Sequence, residues 1–227
     1  METGWKDTLL PRIAAHLEGL ITPLSEIASL HQDAGRRLAE WLSTHHRRGE
    51  VLPVVVVCTG NSRRSMLGAM MGNAAASFLG FPELRFFSAG TTPSAFNTRT
   101  IQALRAIGFE VEPSGGEAAR GPGGLANPRY LVRWGTNPGQ QMVEFSKALG
   151  DPAMPGDGFA ALMVCDEADA GCPIVAGAAK RISMPFPDPK AFDETPQEQE
   201  RYAAARDAFG RLMMAVLGEV HRRLESS

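Results

Sequence analysis

The chain has 227 residues, with 23 lysines and arginines against 25 aspartates and glutamates, a formal net charge of −2 with histidines neutral. That length suits one sizeable α/β domain with added structure, or two small domains. The near-neutral charge gives no global bias toward nucleic acid or an anionic membrane, and no apolar run reaches transmembrane length. Lys6, Asp7 and Arg12 come early and no signal-peptide core is seen, so the expected location is the cytoplasm. In a reducing compartment, three cysteines are expected to be catalytic, redox-active or simply buried rather than a disulfide framework.

Residues 5–47 carry helical periodicity: Leu9, Ile13, Leu17, Leu20 and Ile21, then Ile27, Leu30, Leu38, Trp41 and Leu42. Pro23 is expected to split them into two helices, and His45-His46-Arg47-Arg48 followed by Gly49 suits a helix end. Such an N-terminal helical extension, residues 1–50, would cover one face of a domain or serve as a dimerisation arm. Val54–Val57 is β-branched throughout, the pattern of a central parallel strand. A helix over 65–78, a strand over 84–88 and a helix over 97–107 follow. This order calls for right-handed crossovers and a parallel sheet. Residues 113–157 interrupt it. The Gly- and Pro-rich stretch 113–128 reads as a loop. Residues 129–134 and 141–146 read as a β-hairpin on the sheet edge, turning at Thr136-Asn137-Pro138-Gly139. Strands over 159–164 and 181–184 and a long helix over 198–224 complete the domain 51–227. The expected fold class is α/β, a parallel twisted sheet with helices on both faces and an inserted hairpin.

The chemistry centres on Cys58-Thr59-Gly60-Asn61-Ser62-Arg63-Arg64-Ser65, between the Val strand and the next helix. A short loop there can curl its amides inward over a helix N-terminus and hold a phosphate-like dianion. Gly60 supplies backbone freedom, and Asn61 tolerates left-handed geometry. Arg64 can grip two oxygens with its planar fork. Such a positive field favours a thiolate, the reactive form of a cysteine. Pro187-Asp188-Pro189 places a carboxyl on a stiff loop at the same sheet edge, where Asp188 can protonate a leaving oxygen. Cys165 and Cys172 share one predicted loop at a strand's C-terminal end. They can act as a thiol relay ending in a disulfide, or be two small buried hydrophobes. No metal site is expected, because no further Cys or His stands at ligand spacing.

Val57 through Ser65 resembles the catalytic loop of the low-molecular-weight protein tyrosine phosphatase family, and looks especially like the thioredoxin-coupled arsenate reductases of that fold. Ser88-Ala89-Gly90-Thr91 is similar to the family's second-strand signature, Cys165 through Cys172-Pro173 to the reductases' redox segment, and Pro187-Asp188-Pro189 to the Asp-Pro acid loop. The likeness runs from about Val54 to the C-terminus, except for 113–157. It implies Cys58 as nucleophile, Arg64 as oxyanion clamp, Asn61 as shaper of the loop, Ser65 as hydrogen-bonding support for the thiolate and Asp188 as general acid. In the reductases, the residue matching Cys165 attacks the thiol–arsenic adduct, and the one matching Cys172 forms the disulfide that thioredoxin reduces.

Departures are informative. Arg63 stands where many reductases have another cysteine and adds positive charge near the loop. Ala69 stands where many have an acidic residue that helps bind potassium. Lys190 follows the acid loop where the phosphatases often carry an aromatic residue, a role Phe192 could take. The leading expectation is arsenate reduction with no bound cofactor and a thioredoxin-type reductant. The alternative is phosphomonoester hydrolysis on a phosphotyrosine protein, in either case with an arsenate or phosphate oxyanion in the loop, and a third reading is a non-catalytic anion-sensing or interaction module that keeps the loop but not the turnover.

Overall fold

The computed structural model describes residues 4–172 and 174–226; Pro173, the last residue of the redox-segment likeness, lies outside them. Val54–Val57 are fully buried within strand β1, Leu52–Cys58. β1 pairs in parallel on both edges, with β2 (Leu84–Gly90) and with β6 (Phe159–Met163). Strand β7, Ala178–Ser183, continues beyond β6, so the order is β2-β1-β6-β7. β-branched residues with no polar alternation suit a strand covered on both faces. The chain leaves β1 toward one side and returns through β6 on the other. The C-terminal ends of β1 and β6 therefore flank a switch point, the crevice where ligands of open α/β sheets bind.

Helix α3, Arg64–Phe78, is buried at every position, and helix α6, Glu198–Glu225, packs on it. Small residues permit this. A Cβ at Gly68 would lie 2.9 Å from Val56 Cγ1 and 3.2 Å from the Phe209 ring. The N-terminal segment forms α1 (Pro11–Glu18) and α2 (Ser29–His45), divided as the sequence led us to expect around Pro23. Ile13, Leu17, Leu38 and Leu42 join the same continuous core, so these helices pack against the sheet domain and its terminal helix. Helix α4, Thr98–Ala106, is capped by the Asn97 side chain, which accepts from the Arg99 and Thr100 amides.

The interruption differs from expectation in two ways. The hairpin is present, β4 (Pro128–Arg133) against β5 (Gln141–Glu144). It does not extend the parallel sheet. It belongs to a separate antiparallel sheet, β3-β4-β5. Its first strand, β3 (Glu110–Glu117), reaches into the stretch expected to be loop. Pro113, Gly115 and Gly116 hid this strand. Only Val111 in it is buried, and its register breaks between Pro113 and Glu117. The segment after β6 also differs. The stretch between Cys165 and Cys172 is not a loop but a short helix α5, Asp166–Gly171, too brief to show periodicity. Acidic Asp166, Glu167 and Asp169 in its first turn suit a helix N-terminus.

Candidate active site

Cys58 ends β1 and opens a loop whose carbonyls are tied from one side. The amides of Thr91, Thr92, Ser94 and Asn97, in the segment joining β2 to α4, donate to the carbonyls of Cys58 (3.1 Å), Thr59 (2.8 Å), Gly60 (3.0 Å) and Ser62 (3.2 Å). Across a planar trans peptide the carbonyl and the following N–H point in opposite directions. Tying these carbonyls back therefore turns the amides of Thr59, Gly60, Asn61 and Arg63 toward the opposite side. Among the described residues, none of the amides of 59–63 donates to a protein acceptor. No side chain caps the start of α3, which follows directly. Free amides over a helix N-terminus make a nest for a tetrahedral anion.

Asn61 sits at φ 39, the left-handed region the sequence led us to expect. Its Nδ2 donates to Ser65 Oγ at 2.9 Å, and its Oδ1 accepts the Lys147 amide at 2.8 Å. Ser65 Oγ lies 3.1 Å from Cys58 Sγ. With Asn61 donating to that oxygen, the hydroxyl proton is free to point at the sulfur. Gly60 does not adopt a positive φ. Its small size matters instead, because a Cβ there would meet Ser94 Oγ at 3.3 Å. Gly90 is the stricter requirement, since a Cβ there would press to 2.6 Å from the Thr59 carbonyl and 2.7 Å from the Asn61 amide.

Arg64 turns inward. Its side chain is 10% exposed, its Nη1 donates to the Phe186 carbonyl at 3.1 Å, and its Nη2 lies 2.9 Å from Asp188 Oδ2 and 3.8 Å from Glu167 Oε2. Its buried Nε has no partner. A buried charged donor left open is costly, and an oxyanion oxygen would satisfy it. The Glu167 carboxyl is held below its ordinary value, first by its own backbone amide and then by the Arg64 charge. Arg64, Glu167 and Asp188 line a cleft of about 600 Å³ together with Cys58, Ser62, Ser94 and Lys190.

Asp188 borders this cleft. It caps a short turn by accepting the Lys190 amide at 3.0 Å, which fixes its carboxyl beside Arg64. His31 of the N-terminal segment donates to the Pro185 carbonyl at 2.8 Å and stacks on Phe186, which stacks on Phe209. The acid loop is thus held between the N-terminal segment and α6.

Arg63 contributes less charge to the loop than the sequence suggests. Its fork is committed to the Tyr202 hydroxyl (2.6 Å) and to Asp193 Oδ2 (2.8 Å). Burial pushes Asp193 up, but Tyr202 and Arg63 outweigh it and hold the carboxyl below its usual range. Burial first, and then donation to Asp193, raise Tyr202 far above an ordinary phenol. Phe192 does not flank the cleft. It lines a separate apolar hollow behind the Asp188 loop, under the Arg201 guanidinium, and among the described residues no aromatic side chain lines the cleft itself.

The other cysteines part company. Cys165 follows β6 and is fully buried, with Sγ 3.4 Å from Thr59 Oγ1, one residue from Cys58. Cys172 lies at the far end of α5, half-buried and outside the cleft, its thiol directed to the Ile174 carbonyl at 3.3 Å. All three thiols are free. Sequence reasoning missed Ser94, Ser146, Lys147 and Glu167, because nothing local marks a residue that reaches the loop through the fold. Among the described residues no group of His, Cys, Asp and Glu is assembled that could hold a metal, and no helix is long and apolar enough to cross a membrane.

No protein-family model and no curated protein sequence matches the chain. Solved structures similar to it include three low molecular weight protein tyrosine phosphatases. The one from Vibrio cholerae O395 is 16% identical, with 74% of this chain and 95% of that one covered and a TM-score of 0.46. The one from Bacillus subtilis is 15% identical, with 75% and 98% covered and a TM-score of 0.47. The one from T. tengcongensis is 16% identical, with 74% and 98% covered and a TM-score of 0.44.

Proposed function

We propose that the chain is an enzyme in which Cys58 attacks the central atom of a tetrahedral oxyanion held by residues 59–65, with arsenate reduction as its reaction. The observation that carries the oxyanion chemistry is the pairing of free loop amides with a buried Arg64 whose Nε is open, both bordering the cleft that Cys58 lines. Arsenate is favoured because a second buried thiol, Cys165, touches the loop at Thr59, where a simple ester hydrolase has no use for it. The cleft also lacks an aromatic wall for a phenyl leaving group.

In this reading the Cys58 thiolate displaces water from arsenate and forms a sulfur–arsenic(V) bond. Cys165 then attacks the Cys58 sulfur. The electron pair of the breaking bond passes to arsenic, arsenite leaves, and a Cys58–Cys165 disulfide remains. Cys172 attacks Cys165 and frees Cys58, and an external dithiol of the thioredoxin type reduces the resulting Cys165–Cys172 disulfide. The helical rise keeps the Cα atoms of Cys165 and Cys172 about 10 Å apart, beyond the span of about 4.4–6.8 Å that a disulfide bridges. The last exchange therefore requires α5 to unwind. Six residues without a side-chain N-cap bond make that a small cost, though Arg181 holds the C-terminal turn through the Asp169 and Cys172 carbonyls.

The Cys172→Ser variant separates the steps. It is expected to release about one arsenite per enzyme and then stop, whereas wild type turns over with thioredoxin, thioredoxin reductase and NADPH. Steady turnover by the variant at the wild-type rate would remove the relay.

A second reading, phosphomonoester hydrolysis through a cysteinyl-phosphate, is favoured by one observation: Asp188 stands in the cleft at 2.9 Å from Arg64. Once an oxyanion engages the Arg64 fork, that carboxyl is placed to serve a leaving oxygen. Asp188→Ala is expected to lower kcat for an aryl phosphate roughly 100-fold. An unchanged rate in a stopped assay of nitrophenol release would exclude general acid catalysis by this residue.

A further inference from the structure

The inserted sheet delivers a chain corner to the back of the oxyanion loop. Just beyond β5, Ser146 Oγ donates to the Gly60 carbonyl at 3.0 Å and accepts the Ser94 amide at 2.9 Å. Ser94 Oγ and its amide both reach the same Gly60 carbonyl at 3.0 Å. The next residue, Lys147, donates its amide to Asn61 Oδ1 and accepts the Gly90 amide at 2.9 Å. The corner is itself rigid. Asn127 bonds both the amide (3.0 Å) and the carbonyl (2.7 Å) of Ser146, and the Lys147 ammonium, 2% exposed, lies 2.6 Å from the fully buried Glu144 carboxylate.

We propose that Ser146 is a positioning residue of the anion site. With Ser94, it holds the Gly60 carbonyl away from the cleft and so keeps the Asn61 amide turned into it. The inference rests on the oxyanion-loop reading above and adds to it a role for the insertion. The peptide between Gly60 and Asn61 is the one most exposed to flipping, because Asn61 already occupies a sparsely populated left-handed conformation. A flipped peptide would replace a donor with a carbonyl oxygen facing the anion. Preorganised donors are worth most when they need no reorganisation during the reaction.

The test measures inorganic phosphate binding by calorimetry, kcat and KM for arsenite release from arsenate with thioredoxin, thioredoxin reductase and NADPH, and melting temperature, for wild type, Ser146→Ala and Ser146→Thr. Ser146→Ala should weaken phosphate binding and lower kcat, each roughly 10-fold, a fraction of the 10²–10³ lost when an oxyanion donor is removed outright. Ser146→Thr keeps the hydroxyl and should recover most of both. Wild-type phosphate affinity and kcat in Ser146→Ala would overturn the proposal. So would equal losses in the alanine and threonine variants that follow the fall in melting temperature, since that pattern means packing alone. Should Ser146→Ala fail to fold, Ser94→Ala removes the other hydroxyl from the same carbonyl and must show the paired loss, and wild-type values there would equally overturn it. A wild-type protein that binds no phosphate at all would instead defeat the oxyanion-loop reading on which this rests.

Discussion

Cys58→Ser is expected to lower turnover on any oxyanion substrate by roughly 10⁴- to 10⁶-fold, the scale seen when an activated nucleophile is removed, while inorganic phosphate still binds. Cys58 lines the cleft and is 4% exposed, with Ser65 Oγ 3.1 Å from its sulfur and the loop amides of 59–63 following it in the chain. A serine hydroxyl is a far weaker nucleophile than a cysteine sulfur and has no base beside it here. The loop is tied back by Thr91, Thr92, Ser94 and Asn97, none of which depends on the sulfur, so the nest should survive the change. Calorimetry with phosphate and a steady-state assay on one preparation check both halves. Residual activity within tenfold of wild type would show that Cys58 is not the nucleophile.

Arg64→Lys should cost roughly 10³-fold in kcat/KM, about 4 kcal/mol of barrier, despite keeping the charge. The guanidinium divides its work by geometry. Nη1 holds the Phe186 carbonyl, Nη2 pairs with Asp188, and the buried Nε has no partner among the described residues. A lysine ammonium carries its three donors on a single nitrogen and cannot span the positions of three guanidinium nitrogens. The acid loop should loosen together with the anion clamp, so both binding and protonation suffer. Phosphate affinity, kcat/KM and the effect of adding Asp188→Ala to this variant provide the check. If Arg64 organises Asp188, the two losses will not add. Additive losses, or a lysine variant within tenfold of wild type, would count against that coupling.

The parts that the sequence by itself determined are those whose cause is local. Four consecutive buried valines suit a parallel strand covered on both faces, and the strand–loop–helix passage at 58–65 sets its own curvature through Asn61. Pro23 marks its helix break in the same way. Tertiary structure alone decided everything that reaches a site across many residues. Strand β3 forms only because β4 lies beside it, with Val111 its single buried residue, so no alternation announced it. Phe192 is committed to the hollow behind the acid loop, and Arg63 to Asp193 and Tyr202, by packing against α6 that no local pattern encodes. Ser146 meets Gly60 across 86 positions, and His31 meets Pro185 across 154. A hydrogen bond of that span has no period, propensity or spacing in the chain. It exists only once two surfaces, each stabilised for other reasons, have come together.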